Sequence, residues 1–462
     1  MLRFALLAKL LNRKDGLTFI VHKRWKKKLR WITDSMKSKY EPSQLALKHF
    51  DRHYKSQFEE KWPSIRLALL SKQKYGALIN NYGNPDEVEE RLSELGAKDV
   101  LKSIRASLKI QNENIVKKDS TERLDTITAA NPLPQNEENE ESSNPKDDHQ
   151  SSPAVYAPKI EYIIPEGFTE QMSQYIVQDQ LVDDSDINVD IAVERKTFSV
   201  NEQLKCYVFD GSATRRFPPA KFESRTKSLL EYYLMDASSL LPVLCLDLQP
   251  GDTVLDMCAG PGGKSVAMLQ TMHIGGIICN EVTPSRRRRL QDVLRLYIPK
   301  DMLDNEESFR LTGFDGTDWG DMEPDTYDKI LVDVPCTTDR LSANENDNNI
   351  FHPRRLKEKN QLPPLQTELL MAALRSVKVG GTVVYSTCTM SSEQNERVIQ
   401  KAVHTCLQTH DIVVTEVDLS PLTRSCDGIF NFHDRAKLGK IVVPNLSANF
   451  GPMYFCALKR LR

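Results

Sequence analysis

The sequence predicts an α/β fold, a mostly parallel, doubly wound sheet with helices on both faces, carried by residues 201–462 and preceded by a small helical region. Three observations predict it. Short apolar runs alternate with helical stretches after residue 200. Such alternation is the signature of parallel strands joined by crossover helices. The first run ends in a glycine-rich loop, D-M-C-A-G-P-G-G-K-S at residues 256–265, placed to open a helix.

The elements follow in order. Thr253–Met257 is the first strand, and the stretch 263–272 is the helix behind its glycine loop. Gly276–Asn280 is the second strand, followed by a helix at 285–298 that opens with Arg286–Arg289. Phe309–Thr312 and Lys329–Val334 are the third and fourth strands. A helix at 363–378 leads to Thr382–Ser386, and one at 392–407 leads to Ile412–Glu416. Met453–Leu458 is the seventh strand. Ligands on doubly wound sheets bind outside the carboxyl ends of the strands, so the chemistry is expected there.

Composition bounds the rest. The chain has 462 residues, 40% hydrophobic and 27% charged, which excludes a wholly disordered, collagen-like or disulfide-scaffold protein. No apolar run approaches the ~18 residues of a membrane span, so no membrane insertion is expected. Nine cysteines, an odd number with no C-x-x-C pair, suggest neither an oxidised framework nor a metal site. A reducing compartment is the simplest setting.

The net charge of −2 hides an asymmetry. Residues 1–110 hold 24 basic against 12 acidic side chains, residues 111–200 hold 7 against 19, and residues 201–462 hold 31 against 33. Four segments are expected. Residues 1–31 have ten Lys and Arg against the single Asp15, with leucines at near-helical spacing, the pattern of a mitochondrial transit peptide. A basic arm that touches RNA is the plainer alternative. Residues 32–110 read as a helical region, with one stripe of Leu45, Leu47, Phe50, Tyr54 and Phe58 and another of Trp62, Ile65, Leu67, Leu69 and Leu70. Residues 111–200 form an acidic, largely disordered linker, because such composition buries too little apolar surface to offset chain entropy.

The strand ends carry the candidate site. Gly260, Gly262 and Gly263 permit a tight turn and close backbone approach. The loop misses a P-loop by one residue, since Cys258 stands at its first glycine, and misses a dinucleotide fingerprint at Val266. Glu281 closes the second strand, Asp315 and Gly316 follow the third, and Asp333 ends the fourth. Successive acids beside one glycine loop suit a cationic, adenosine-bearing ligand better than a triphosphate. Two cysteines, Cys336 in V-D-V-P-C-T-T-D and Cys388 in V-Y-S-T-C-T-M, follow the fourth and fifth strands and converge on the same sheet edge. Thiolate chemistry makes both functional candidates.

Together DMCAGPGGKS, NEVTPSR, GFDGTDW, LVDVPCTTDR and YSTCTMSSEQNE resemble the NOL1/NOP2/Sun family of RNA 5-methylcytosine methyltransferases. The segments WPSIRLALLSKQKYGALINN, FPPAK–YYLMDASSLLP and NFGPMYFC are similar to its mitochondrial small-subunit rRNA branch. The resemblance spans residues 40–110 and 201–462. It implies a Rossmann-like methyltransferase fold with a seven-stranded sheet and S-adenosylmethionine (SAM) as cofactor. It also implies a mitochondrial matrix location and a role in ribosome assembly. Cys388 would be the nucleophile, Cys336 would assist product release, and Asp333 would hold the base. Gly262, Gly263, Lys264, Glu281, Arg286, Asp315, Gly316 and Asp333 would line the cofactor site. Two departures are visible: Glu281 stands where aspartate is usual, and Thr389 follows Cys388 where serine is common.

The target base must leave its stack to reach such a pocket. Basic residues cluster at Arg286–Arg289 and at Arg354, Arg355, Lys357 and Lys359, but no added RNA-binding module is visible. Phosphate contacts normally dominate affinity. The resemblance therefore implies a partner, a helical-repeat protein of the mitochondrial transcription termination factor family. The rival readings are a non-catalytic ribosome-assembly factor that keeps the fold and, more distantly, a P-loop ATPase.

Overall fold

The computed structural model describes residues 41–113, 190–211, 215–222, 228–433 and 436–462. The expected mitochondrial address at 1–31 lies outside them, as do residues 114–189 of the expected linker.

Two helices come first, α1 (Pro42–Phe58) and α2 (Trp62–Leu70). Each has a proline in its first turn, where the missing N–H breaks no helical bond. α1 buries Ala46, Phe50, Tyr54 and Phe58, a four-residue spacing that holds one face against the body. Leu45 and Leu47, expected in that stripe, flank it and are only partly buried. In α2, Trp62, Ile65, Ala68 and Leu69 face inward. Leu67 and Leu70 are exposed, because helical rotation carries them off the buried arc.

The helical expectation for 32–110 is incomplete. β1 (Gly76–Ile79), α3 (Pro85–Glu94), β2 (Ala97–Asp99) and a helix α4 (100–113) follow α2. A four-residue apolar run such as Gly76–Ile79 is too short for its periodicity to separate strand from helix. After β3 (Val193–Glu194), the partners of these strands appear as β4 (Cys206–Phe209) and β5 (Tyr232–Met235). All pairs in this sheet are antiparallel, in the order β2-β4-β1-β5. The change in charge at residue 200 therefore does not mark a structural break. Phe198 and Val200 are also buried in the core, and 111–113 complete α4, so both ends of the expected linker are folded chain.

The remaining elements build the large sheet. They are α5 (Leu241–Leu246), β6 (Thr253–Asp256), α6 (Gly263–Leu269), β7 (Gly276–Asn280), α7 (Pro284–Tyr297) and β8 (Phe309–Thr312). β9 (Tyr327–Asp333), α8 (Asp339–Asn344), α9 (Leu362–Ser376), β10 (Val377–Thr387) and α10 (Glu396–His410) continue it. β11 (Val414–Val417), β12 (Lys440–Val442) and β13 (Met453–Arg460) complete it. The order is β3-β11-β13-β10-β9-β6-β7-β8, with β12 paired to β13. The seven expected strands are all present. The short β3 and β12 are additions, and β13 runs antiparallel to β10, β11 and β12.

Alternation along the strands feeds two cores. Val254, Ile277, Leu331 and Val384 face α5, α6 and α7. Leu255, Ile278, Ile330 and Val383 face α9, α10 and α1. Burying one large apolar side chain contributes about 1.5–3 kcal/mol. The contact of Phe50, Tyr54 and Phe58 with the second core is therefore large beside a net domain stability of about 5–15 kcal/mol. No helix among the described residues is long and apolar enough to cross a membrane.

Candidate active site

Strand order reverses at β6, which lies between β7 and β9, so a crevice opens at the carboxyl ends of these strands. The glycine loop enters it from β6. Gly262 has φ +115°, and a Cβ there would lie 2.9 Å from Leu290 Cδ1. A Cβ on Gly260 would press on the buried Glu281 carboxylate, which would have to shift for the loop to lie against the end of β7. The Glu281 carboxylate is buried, accepts the Thr283 N–H at 2.9 Å and faces the Arg286 guanidinium at 3.4 Å. Arg286 also donates to the Gly260 carbonyl at 2.7 Å, tying α7 to the loop.

Lys264, in the first turn of α6, donates to Asp333 Oδ2 at 2.7 Å. Ser386, at the end of the neighbouring strand, donates to Asp333 Oδ1 at 2.7 Å. Burial alone would lower the Lys264 ammonium, but the Asp333 carboxylate overrides it and the net shift is upward. Asp256 accepts from Ser265 Oγ at 2.6 Å, and burial pushes its carboxyl up to about 7.

The two cysteines meet. β9 and β10 run parallel with Asp333 paired to Ser386, so the loops after them leave the sheet side by side. Cys336 Sγ lies 3.3 Å from Cys388 Sγ. Cys336 is buried and Cys388 partly exposed. The hydrogen bond with Cys336, followed by burial, holds the Cys388 thiol well above its ordinary range, while Lys264 pulls the other way. A buried polar network joins the loops. Thr337 Oγ1 donates to Asp339 Oδ1 at 2.7 Å and lies 2.8 Å from Thr389 Oγ1, whose hydroxyl it can accept. The Gln394 side chain bridges the Thr337 N–H and Oγ1.

Cys336, Cys388, Asp333 and Lys264 thus converge, and Glu281, Arg286, Gly262 and Gly263 gather around the glycine loop. The remaining two expected residues sit differently. The Asp315 side chain is exposed and caps the turn after β8 through the Thr317 N–H and hydroxyl. Gly316 is buried and packs on α9, where a Cβ would push against Leu369 Cδ2. Sequence reasoning missed Ser386 and Asn280. The Asn280 amide donates to the carbonyls of Met257 and Phe314, joining two loops of the crevice. A polar residue closing an apolar strand was the signal for both. Of the Arg286–Arg289 run, Arg288 and Arg289 are exposed, while Arg287 donates to the Glu281 carbonyl at 2.8 Å.

A doubly wound sheet with an antiparallel last strand and a glycine loop at its switch point is the architecture of a methyltransferase. A family model for 16S rRNA methyltransferases of the RsmB/F type matches residues 243–428. The chain is 41% identical to the 5-cytosine rRNA methyltransferase NSUN4 of Xenopus laevis, over 98% of each chain. It is 37% identical to the mitochondrial tRNA (cytosine(34)-C(5))-methyltransferase of Mus musculus, over 56% of this chain and 71% of that protein. The crystal structure of NSun6 from Pyrococcus horikoshii with SFG matches with TM-score 0.48 at 16% identity, covering 88% of this chain and 97% of that one. The chain belongs to the NOL1/NOP2/Sun family of SAM-dependent RNA cytosine-5 methyltransferases.

Proposed function

We propose that the protein methylates C5 of a cytosine in mitochondrial small-subunit rRNA, with SAM as methyl donor, during ribosome assembly in the matrix. The observation that carries this reading is the 3.3 Å approach of Cys336 and Cys388 beside the Asp333–Lys264 pair. The RsmB/F match and the NSUN4 relatives support the rRNA substrate. The basic residues of 1–31 and the mitochondrial relative support the location.

The residues present fit the cofactor. Gly260, Gly262 and Gly263 leave bare backbone at the crevice, and a Cβ on Gly263 would lie 3.0 Å from Tyr233 Cε1. Gly262, Gly263, Lys264, Glu281, Arg286 and Asp333 are the residues assigned to hold it, while Asp315 and Gly316, expected with them from the sequence, form the turn after β8. When bound, SAM supplies an electrophilic methyl group.

The chain's own residues do the rest. Cytosine C5 is a weak nucleophile. Addition of Cys388 sulfur to C6 forms an S–C6 bond and moves the ring electrons to C5 while the thiol's proton passes to N3, one hard step becoming two easier ones. Asp333, held by Lys264 and Ser386, accepts that N3–H. After transfer, Cys336 as thiolate takes the C5 proton, the C6–S electrons return to sulfur and Cys388 leaves as thiolate. Incubation with SAM and small-subunit rRNA tests the scheme. Cys336→Ala is expected to trap a protein–RNA adduct on a denaturing gel. Cys388→Ala is expected to give neither adduct nor bisulfite-resistant cytosine. The reverse pattern exchanges the roles.

A helical-repeat partner of the mitochondrial transcription termination factor family completes this reading. Phosphate contacts carry no direct sequence information, and the body is near neutral. Filter binding near physiological salt is expected to show the enzyme alone holding rRNA weakly and preferring it little over a scrambled RNA. Tight, selective binding by the enzyme alone would remove the partner.

A further inference from the structure

One buried contact joins the N-terminal helix to the cysteine loops. Tyr54, on the inner face of α1, is 2% exposed, and Asp339, three residues after Cys336, is fully buried. The Tyr54 hydroxyl donates to Asp339 Oδ2 at 2.7 Å and lies 3.2 Å from Thr389 Oγ1, beside Cys388 in sequence. The same Asp339 oxygen accepts the Met390 N–H at 2.8 Å, and the Asp339 N–H donates to the Cys388 carbonyl at 3.2 Å. Oδ1 takes the Thr337 hydroxyl. Asp339 therefore holds both loops at once, and Tyr54 supplies one of its three side-chain contacts from 285 residues away. A second residue of α1, Gln57, donates to the Met390 carbonyl at 2.9 Å.

A buried carboxylate keeps a fixed place only while its donors are all present, and a lost partner leaves a desolvated group that moves to recover one. The thiol pair sits at the tips of the two loops Asp339 joins. We propose that Tyr54 is a positioning residue for the two-thiol reaction: through Asp339 it sets the Cys336 loop against the Cys388 loop, so that release of the methylated base depends on the N-terminal helix. This rests on the thiol mechanism above and adds to it a residue outside the methyltransferase sheet.

Tyr54 also packs on Phe50, Phe58 and Trp62, with ring centroids 5.2, 6.0 and 5.5 Å away. Tyr54→Phe keeps those ring contacts and deletes only the hydroxyl. The full-length variant is assayed with SAM and small-subunit rRNA beside the native enzyme and Cys336→Ala. A fall in kcat of about tenfold is expected, since small misplacements of reacting groups are costly. The melting temperature is expected to fall with the lost buried hydrogen bond, while KM for RNA and the folded fraction at the assay temperature stay native and the denaturing gel shows more covalent RNA adduct than the native enzyme. A purely structural role would lower kcat only with the folded fraction and leave the adduct fraction alone. Native kcat and native adduct level in Tyr54→Phe, or a kcat loss that only follows the folded fraction, overturns the proposal. If Cys336→Ala itself gives no adduct, the thiol mechanism fails and this proposal falls with it.

Discussion

The hydrogen bond with Cys336 is the first cause that raises the Cys388 thiol, so in the proposed mechanism Cys336 would act as a brake on the nucleophile as well as an aid to release. Removing Cys336 removes the largest cause of the upward shift. The Cys336→Ala variant is therefore expected to alkylate at Cys388 severalfold faster than the native protein near pH 8, by mass spectrometry after iodoacetamide, because the thiolate is the reactive form. Asp256 makes the second prediction at this scale. Its folded-state carboxyl, raised from 3.8 to about 7, binds a proton that the unfolded chain has released. Its contribution to stability is full below the unfolded value and is lost as pH rises through the folded one. Between pH 4 and 7 the slope is about −1.4 kcal/mol per pH unit. Asp256→Asn is expected to remove that slope, so the variant gains on the native protein in denaturant melts as pH rises. The cysteines were legible because each follows an apolar strand inside a distinctive motif. Tyr54 was not. Its place in an aromatic stripe explains its ring, and the partner of its hydroxyl comes from a loop that no local pattern connects to it.

At the scale of elements, the strands that feed the crevice were readable to within a few residues, because Thr253–Asp256 and Gly276–Asn280 are apolar runs bounded by glycine, acid or amide. β1 and β2 were not, since Ala97–Asp99 has three residues and a mixed burial pattern. The glycine loop was legible as a loop, while the reason for each glycine needed its neighbours: φ +115° at Gly262 and the Glu281 carboxylate against Gly260. Gly262→Ala forces a Cβ toward Leu290 in a backbone region that L residues avoid. It is expected to cost roughly 1–3 kcal/mol of stability by denaturant midpoint, and to weaken SAM binding in calorimetry. A variant with native stability and native affinity would show that the loop relaxes freely.

Over the whole molecule, charge suggested a boundary near residue 200 that the sheets cross. β1 sits between β4 and β5, and Ala77 and Ile79 share a core with Phe209 and Tyr232. The piece 201–462 is therefore expected to express as an aggregating or non-cooperatively melting protein. Adding residues 41–113 as a separate chain is expected to restore solubility and a single transition by circular dichroism. Sequence patterning saw the body and not this pairing, because pairing is a relation between segments far apart in the chain. The same interleaving places a delay in the birth of the protein. Gly76–Ile79 leaves the ribosome some 150 residues before Tyr232–Met235 exists, an interval of roughly 10–30 s at common synthesis rates. Until Cys206–Phe209 is made, Ala77, Leu78 and Ile79 have neither flanking strand. A nascent chain halted before residue 206 would expose this run to anything that binds bare strand edges, and one released past residue 235 would not.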